Sequence, residues 1–205
     1  MTSASRPGHF AIRVPAAAFD QPAPASGEIP SFDAIYASHF GFLHRAARGF
    51  GVSASAVEDV LQDVFLVVHR RLPELRPGGS VRAWVLRILI NVVREQRRTY
   101  RRKGGHASLS DEGSVVDEVA RSPHERVEMA QAAELLESIL DGMEEERREV
   151  FVLAEIEGVP VQEIAEATGA NPNTTHSRLR LARKDYEAAV TRLRARLGRV
   201  PGGRP

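Results

Sequence analysis

Residues 163–183 read EIAEATGANPNTTHSRLRLAR, and the Gly and Asn-Pro near the middle decide how the segment folds. Val161 to Ala167 suits a short helix, and Gly169 tolerates the positive φ needed where the chain turns. Asn171-Pro172 supplies the N-cap and first turn of a following helix, which the pattern extends to Leu197. Ala165 is small where two helices would cross closely. This is helix-turn-helix spacing, in which the second helix enters the major groove of DNA. With Thr175, Leu179 and Ala182 facing inward, a rotation of about 100° per residue turns Asn173, His176, Ser177, Arg180 and Lys184 outward. Those side chains are of the types that reach base edges and phosphates. Arg192, Arg194, Arg196 and Arg199 carry the positive charge onward. A capped helix pair with a glycine turn also occurs in proteins that never touch nucleic acid, so the segment alone leaves a structural role open.

Upstream, the chain keeps to helical periods. Residues 1–30 are proline-bearing, rich in Ala and Ser and without sustained period, which predicts a disordered leader. Behind a Ser31 N-cap, Phe32, Ile35, Tyr36, His39, Phe42, Leu43, Ala46 and Phe50 form one amphipathic helix that ends near Gly49 and Gly51. Ser55 and Glu58 have capping-box spacing ahead of a second stripe from Val57 to Leu72, which Pro73 closes. Ser80 caps a third helix with Val81, Trp84, Val85, Ile88, Leu89, Val92 and Val93 on its buried side. Residues 104–124 are Gly- and Ser-containing and net acidic, the composition of a flexible linker. Ser122-Pro123-His124-Glu125 opens a helix through AAELLESIL, Asp141-Gly142 breaks it, and another helix covers about 144–157. No run alternates with period two, so the expected fold is all-α. Two small helical bundles, 31–103 and 125–197, stand between the leader and a tail at 198–205.

Composition narrows the function classes. A chain of 205 residues with 42% hydrophobic content can bury one large core or two small ones. Lys and Arg number 28 against 27 Asp and Glu, so the distribution of charge matters more than its sum of +1. The absence of cysteine excludes disulfides and thiolate metal sites and fits a reducing compartment. The most apolar stretch, WVLRILINVV, is broken by Arg87 and Asn91 and is too short to span a bilayer. Neither membrane insertion nor a signal peptide is expected, and a cytoplasmic location follows. The 7 histidines include no pair at HxxxH or HxH spacing, so no metal, cofactor or catalytic set is predicted and the enzyme class has little support.

Two further faces carry information. Arg87, Asn91, Arg94 and Arg98 share one stripe of the third helix, which ends in REQRRTYRRK; a solvated face or a phosphate-binding surface would both suit it. The second helix instead turns Glu58, Asp59, Gln62 and Asp63 outward, an acidic patch that would repel DNA and suits a protein partner.

AVEDVLQDVFLVVHRRL, SVRAWVLRILINVVREQRR, REVFVLAEIEGVPVQEIAEATG and NTTHSRLRLAR, in that order, resemble bacterial RNA polymerase sigma factors of the extracytoplasmic-function (ECF) type. The likeness covers about residues 31–103 and 125–197, the places of sigma regions 2 and 4. It implies a protein that binds core RNA polymerase, recognises promoter DNA at its −10 and −35 elements, and is held in check by an anti-sigma factor. Carried over by position, it makes Asp59, Gln62 and Asp63 contacts to core polymerase. It makes Arg87, Asn91, Arg94 and Arg98 contacts to the −10 element, with PELRPGGS where a flipped base is held. Asn173, Thr174, His176, Ser177, Arg180 and Lys184 become contacts to the −35 element. Thr175 departs from the family by standing where an aliphatic residue is usual, and its hydroxyl finds its simplest partner in the Asn171 carbonyl. Leu181, His176 and Asp141-Gly142-Met143 depart as well, which bears on the promoter read rather than on the fold. The alternative is a conventional helix-turn-helix regulator that does not engage polymerase; it would carry a sensor or dimerisation domain in place of a second basic bundle.

Overall fold

Ser31 opens the first helix, its hydroxyl accepting the Ala34 amide at 3.2 Å, and α1 runs from Phe32 to Phe50. Gly51 ends it in the left-handed region at φ 96°, its N–H reaching back to the carbonyls of Ala47 and Arg48. The computed structural model describes residues 29–75, 78–102 and 123–197, with 123–127 and 197 as backbone only. The expected leader up to residue 28, the linker up to Ser122 and the tail lie outside the described residues, as do Arg76 and Pro77 of the PELRPGGS connection.

The remaining elements are α2 (Val57–Arg71) with a 3-10 turn (Leu72–Glu74), α3 (Val81–Arg102), α4 (Pro123–Asp141), α5 (Glu145–Phe151), α6 (Val161–Thr168) and α7 (Pro172–Leu197). Among the described residues there is no strand. Ser80 caps α3 through its hydroxyl, which accepts the Ala83 amide at 3.1 Å. The capping box expected at Ser55 and Glu58 does not form: Ala56 holds the N-cap of α2, and no side chain bonds there. The Ser53 carbonyl already accepts the amides of Ala56 and Val57 at 3.1 and 3.0 Å, so a backbone turn does the work of the cap. The helix expected over 144–157 is α at its start and widens into a π turn at Val152–Ile156, where the Glu157 amide reaches the Val152 carbonyl at 2.9 Å.

α1, α2 and α3 form one bundle around Ile35, Leu43, Phe50, Leu61 and Leu89; α4 to α7 form another around Leu140, Leu153, Ile164, Leu179 and Ala182. The bundles touch, because α5 and the π turn pack on α1, α6 packs on α3, and the buried apolar residues form one continuous cluster. Gly49, expected only to help end α1, lies inside the helix at this contact, and a Cβ there would stand 2.5 Å from Cγ1 of Val152. α3 is correspondingly buried on two sides. Besides most of the predicted apolar side, Ala83, Leu86 and Ile90 are buried, and they share a helix face with the arginines that hold the second bundle. Trp84 and Val92 are only partly buried against the core.

Candidate nucleic-acid and partner interfaces

The α6–α7 pair has the geometry its sequence predicts. Gly169 closes α6 at φ 69°, and the Ala170 amide reaches the Ala165 carbonyl at 3.0 Å. Asn171 Oδ1 accepts the Asn173 amide at 2.8 Å and caps α7. Thr175, Leu179 and Ala182 of α7 are buried, as are Ile164 and Ala165 of α6, which packs on it, and the Thr175 hydroxyl donates to the Asn171 carbonyl at 3.2 Å. Asn173, Thr174, His176, Ser177, Arg180 and Lys184 all stand exposed on the outer side. The cations between them are tied down: Arg178 pairs with Glu146 of α5, and Arg183 donates to Glu155 at 2.6 Å. Arg147 of α5 reaches Asp185 at 3.0 Å, and Phe151 stacks on Tyr186 at 5.2 Å between ring centroids. α7 is thereby fixed in orientation while its outer face stays open.

Asp59, Gln62 and Asp63 lie exposed on α2, as the stripe predicts. Beside them runs an aromatic groove that the sequence reading did not single out. Phe32, Tyr36 and Phe40 of α1 surround Phe65 of α2, with centroids 6.3, 4.6 and 6.2 Å away, and Glu58 and Gln62 stand at its lip. Tyr36 is 42% and Leu66 47% exposed, although Tyr36 falls on the apolar stripe of α1. Leu66 was the available signal, an apolar residue off the stripe of α2 and close to the acidic patch.

The stripe on α3 is divided. Arg87 and Arg94 lie toward the second bundle, Asn91 and Arg98 toward solvent. Arg87 donates to the Glu166 carbonyl of α6, and Arg98 pairs with Glu95 one turn away. Arg94 grips the Glu149 carboxylate with two bonds, 3.1 and 2.6 Å, and that carboxylate side chain is only 1% exposed. Burial pushes the Glu149 carboxyl up, opposed by Arg94, whose own guanidinium that bond holds above its ordinary range. Arg82 makes a second two-bond pair with Glu163 at 2.7 and 2.8 Å, and Arg97 meets Glu145 at 2.8 Å. On α1, Arg45 meets Glu157 at 3.0 Å and Arg48 meets Glu137 at 2.8 Å. Among the described residues every cross-bundle ion pair therefore runs from an arginine of the first bundle to a glutamate of the second. One cation points back: Arg148, whose charge burial disfavours, donates to the Gly49 carbonyl at 2.7 Å, at the negative end of α1.

Among the described residues no group of three or more His, Asp or Glu could hold a metal ion, and no helix is long and apolar enough to cross a membrane. The family model of sigma-70 region 2 matches residues 35–103, and that of sigma-70, region 4 matches residues 133–185. The RNA polymerase sigma factor CnrH of Cupriavidus metallidurans is 31% identical over 175 residues, 81% of this chain and 90% of CnrH. The ECF RNA polymerase sigma factor SigM of Mycobacterium tuberculosis is 29% identical over 179 residues, 86% of this chain and 80% of SigM. The structure of CnrH in complex with the cytosolic domain of CnrY superposes with a TM-score of 0.59 at 28% identity, covering 78% of this chain and 87% of that one. The sigma factor RpoE of Bartonella quintana, in complex with the anti-sigma factor NepR, superposes at 0.64 over 78% of this chain and 96% of RpoE; at 18% identity that likeness speaks to the fold alone. With both sigma regions present in order on one chain, and an ECF relative matched over most of its length, the protein belongs to the sigma-70 family as an RNA polymerase sigma factor of the ECF type.

Proposed function

We propose that this sigma factor grips core RNA polymerase through α2 and its promoter through two separate faces, α3 at the −10 element and α7 at the −35 element. The exposed outer face of α7, held rigid from behind by α5, carries the reading, because among the described residues its reading side chains stand open to an approaching duplex. On α2 the acidic residues Asp59 and Asp63 would steer a basic surface of the polymerase, and the neighbouring aromatic groove would supply apolar area. On α3 the cations Arg87, Arg94 and Arg98 with Asn91 would track a single strand. An anti-sigma factor is the expected regulator, as CnrH and RpoE are each seen with a partner, CnrY and the anti-sigma factor NepR. The region 2 bundle weighs against a conventional helix-turn-helix regulator, which has no use for it. No catalytic role is assigned, and the action belongs with the polymerase, in the cytoplasm.

The test is reconstitution with core polymerase and run-off transcription from promoters of genes induced on overexpression. A stable complex and a defined transcript are expected; failure of both leaves only a DNA-binding module. In the same assay, reversing Asp59 and Asp63 to Lys should weaken core binding at least tenfold and leave binding of the isolated −35 duplex unchanged. Equal loss of both would mean that the patch is structural.

A further inference from the structure

Among the described residues nothing closes the aromatic groove between α1 and α2. It follows α1 from Phe32 to Phe40, about 12 Å of helix, and encloses about 620 Å³, room for several side chains. At one end the rings of Phe32 and His69 meet with centroids 5.3 Å apart, and along the open side Tyr36 and Leu66 stay 42% and 47% exposed. The rim is acidic, with Glu58 at the lip and Asp59 and Asp63 exposed nearby. A cover must therefore bring apolar side chains together with positive charge. We propose that the leader of this same chain is that cover: residues 9–14 and Phe19 lie in the groove, and core polymerase displaces them when it takes α2.

This inference rests on the reading of α2 as the polymerase face. Of the leader, the linker and the tail, only the leader has the chemistry the groove asks for. Residues 1–19 hold Arg6 and Arg13 with no Asp or Glu, and HFAIRV at 9–14 sets Phe10, Ile12 and Val14 around one of those arginines. Two of the chain's 8 phenylalanines, Phe10 and Phe19, stand in the leader, where a purely solvated segment has no use for them. The linker is net acidic and would be repelled by the rim, and the tail, GRVPGGRP, has no aromatic residue. The leader joins the first bundle at Ile29, just ahead of Phe32 at the end of the groove. From Val14 to Ile29, about 15 residues reach up to about 50 Å when extended, so the segment can double back over the whole groove. A tether of that length holds it at about millimolar effective concentration, so a contact too weak to persist between separate molecules still closes.

The chain has no cysteine, so spin labels can be placed at Ala16→Cys in the leader and at the exposed Arg70→Cys on α2. The full labelled chain, diluted into an excess of unlabelled chain, should give a narrow distance distribution. Phe10→Ser with Ile12→Ser, a change outside both bundles, should broaden it, and so should Leu66→Glu at its half-exposed site. A fluorescein-labelled peptide of residues 5–22 should bind the Phe10→Ser, Ile12→Ser chain at least tenfold more tightly than the parent, and adding Leu66→Glu to that chain should abolish the binding. Core polymerase should take the leader variant several-fold more tightly than the parent. A parent distribution as broad as the variant's, with the peptide bound by neither, overturns the occupancy and leaves the polymerase reading to stand on the Asp59 and Asp63 reversal. A distribution that broadens on dilution into unlabelled chain gives the groove to the leader of a second copy and overturns the contact within one chain. Peptide binding that survives Leu66→Glu puts the leader elsewhere and overturns the groove as its seat. Equal core affinity in parent and leader variant overturns the displacement, and if the Asp59 and Asp63 reversal also leaves core binding intact, the reading of α2 falls with it.

Discussion

Thr175 shows how a single polar group can stand in a core at little cost. Its side chain is fully buried, yet its hydroxyl has a partner in the Asn171 carbonyl, which also accepts the Thr175 amide at 3.0 Å. The hydroxyl is a second donor to an oxygen already satisfied, so removing it orphans nothing. Thr175→Val, which keeps the shape, should therefore change the stability of the α6–α7 unit by less than about 1 kcal/mol. Thermal unfolding of the two proteins measures this; a loss well beyond that would mean that the hydroxyl organises the turn. Arg94 presents the opposite case. Its partner Glu149 is buried, so truncating Arg94 strands a carboxylate, a change of the kind that costs about 3–5 kcal/mol when both partners are buried and less here because Arg94 is partly exposed. A loss of activity in Arg94→Ala thus mixes DNA contact with folding, whereas Asn91 and Arg98, on the solvent side of the same stripe, report on DNA with less interference.

α1 carries more than core packing. Burial holds His39 below its ordinary value of 6.5, and Arg82 pushes it the same way, while the bond of its Nδ1 to the Ile35 carbonyl at 3.1 Å acts against both. Burial also lowers His44 from 6.5, with Arg48 and Arg45 acting alike. A base whose folded value lies below its unfolded one stabilises the fold above the unfolded value and loses that contribution as pH falls through the folded one. The histidine contribution should accordingly fall away as the pH drops below 6.5, and His39→Gln should remove its share of that loss. The difference in urea midpoint between the two proteins, followed from neutral pH downward, is the measurement. Glu149 and Glu157, which burial pushes up, act with the opposite sign, but they are common to both proteins and cancel in the difference. A constant difference across the range would rule out His39. The elements themselves were legible because their signals are local: Ser31, Ser80 and Asn171 cap where they should, and Gly51 and Gly169 turn where helices must end. The box at Ser55 failed because a backbone carbonyl reached the amides first, a competition that residue spacing does not encode.

At the scale of the whole chain, the sequence read as two bundles and the structure joins them. Leu86 and Ile90 were visible as apolar residues on the nominally polar side of α3, but a helix period identifies a buried face only relative to one partner. A second partner arriving from distant sequence leaves no periodic mark, and so Arg87 and Arg94 read as part of an open stripe, solvated or phosphate-binding, rather than as groups already engaged. The same contact makes a thermodynamic prediction. The buried apolar residues are continuous across the bundles, and the cross-bundle pairs are charged, partly exposed and therefore screened by salt. In dilute buffer the two bundles should melt in one cooperative transition by scanning calorimetry, with van't Hoff and calorimetric enthalpies in agreement. At about 1 M salt the Debye length shrinks to about 3 Å, the exposed pairs lose most of their pull, and the transition should split or broaden as each bundle melts by itself. Gly49→Ala should split it at any salt, because the clash with Val152 is steric. Two resolved transitions for the parent chain in dilute buffer would mean that the contact, though well formed, adds too little free energy to couple the bundles.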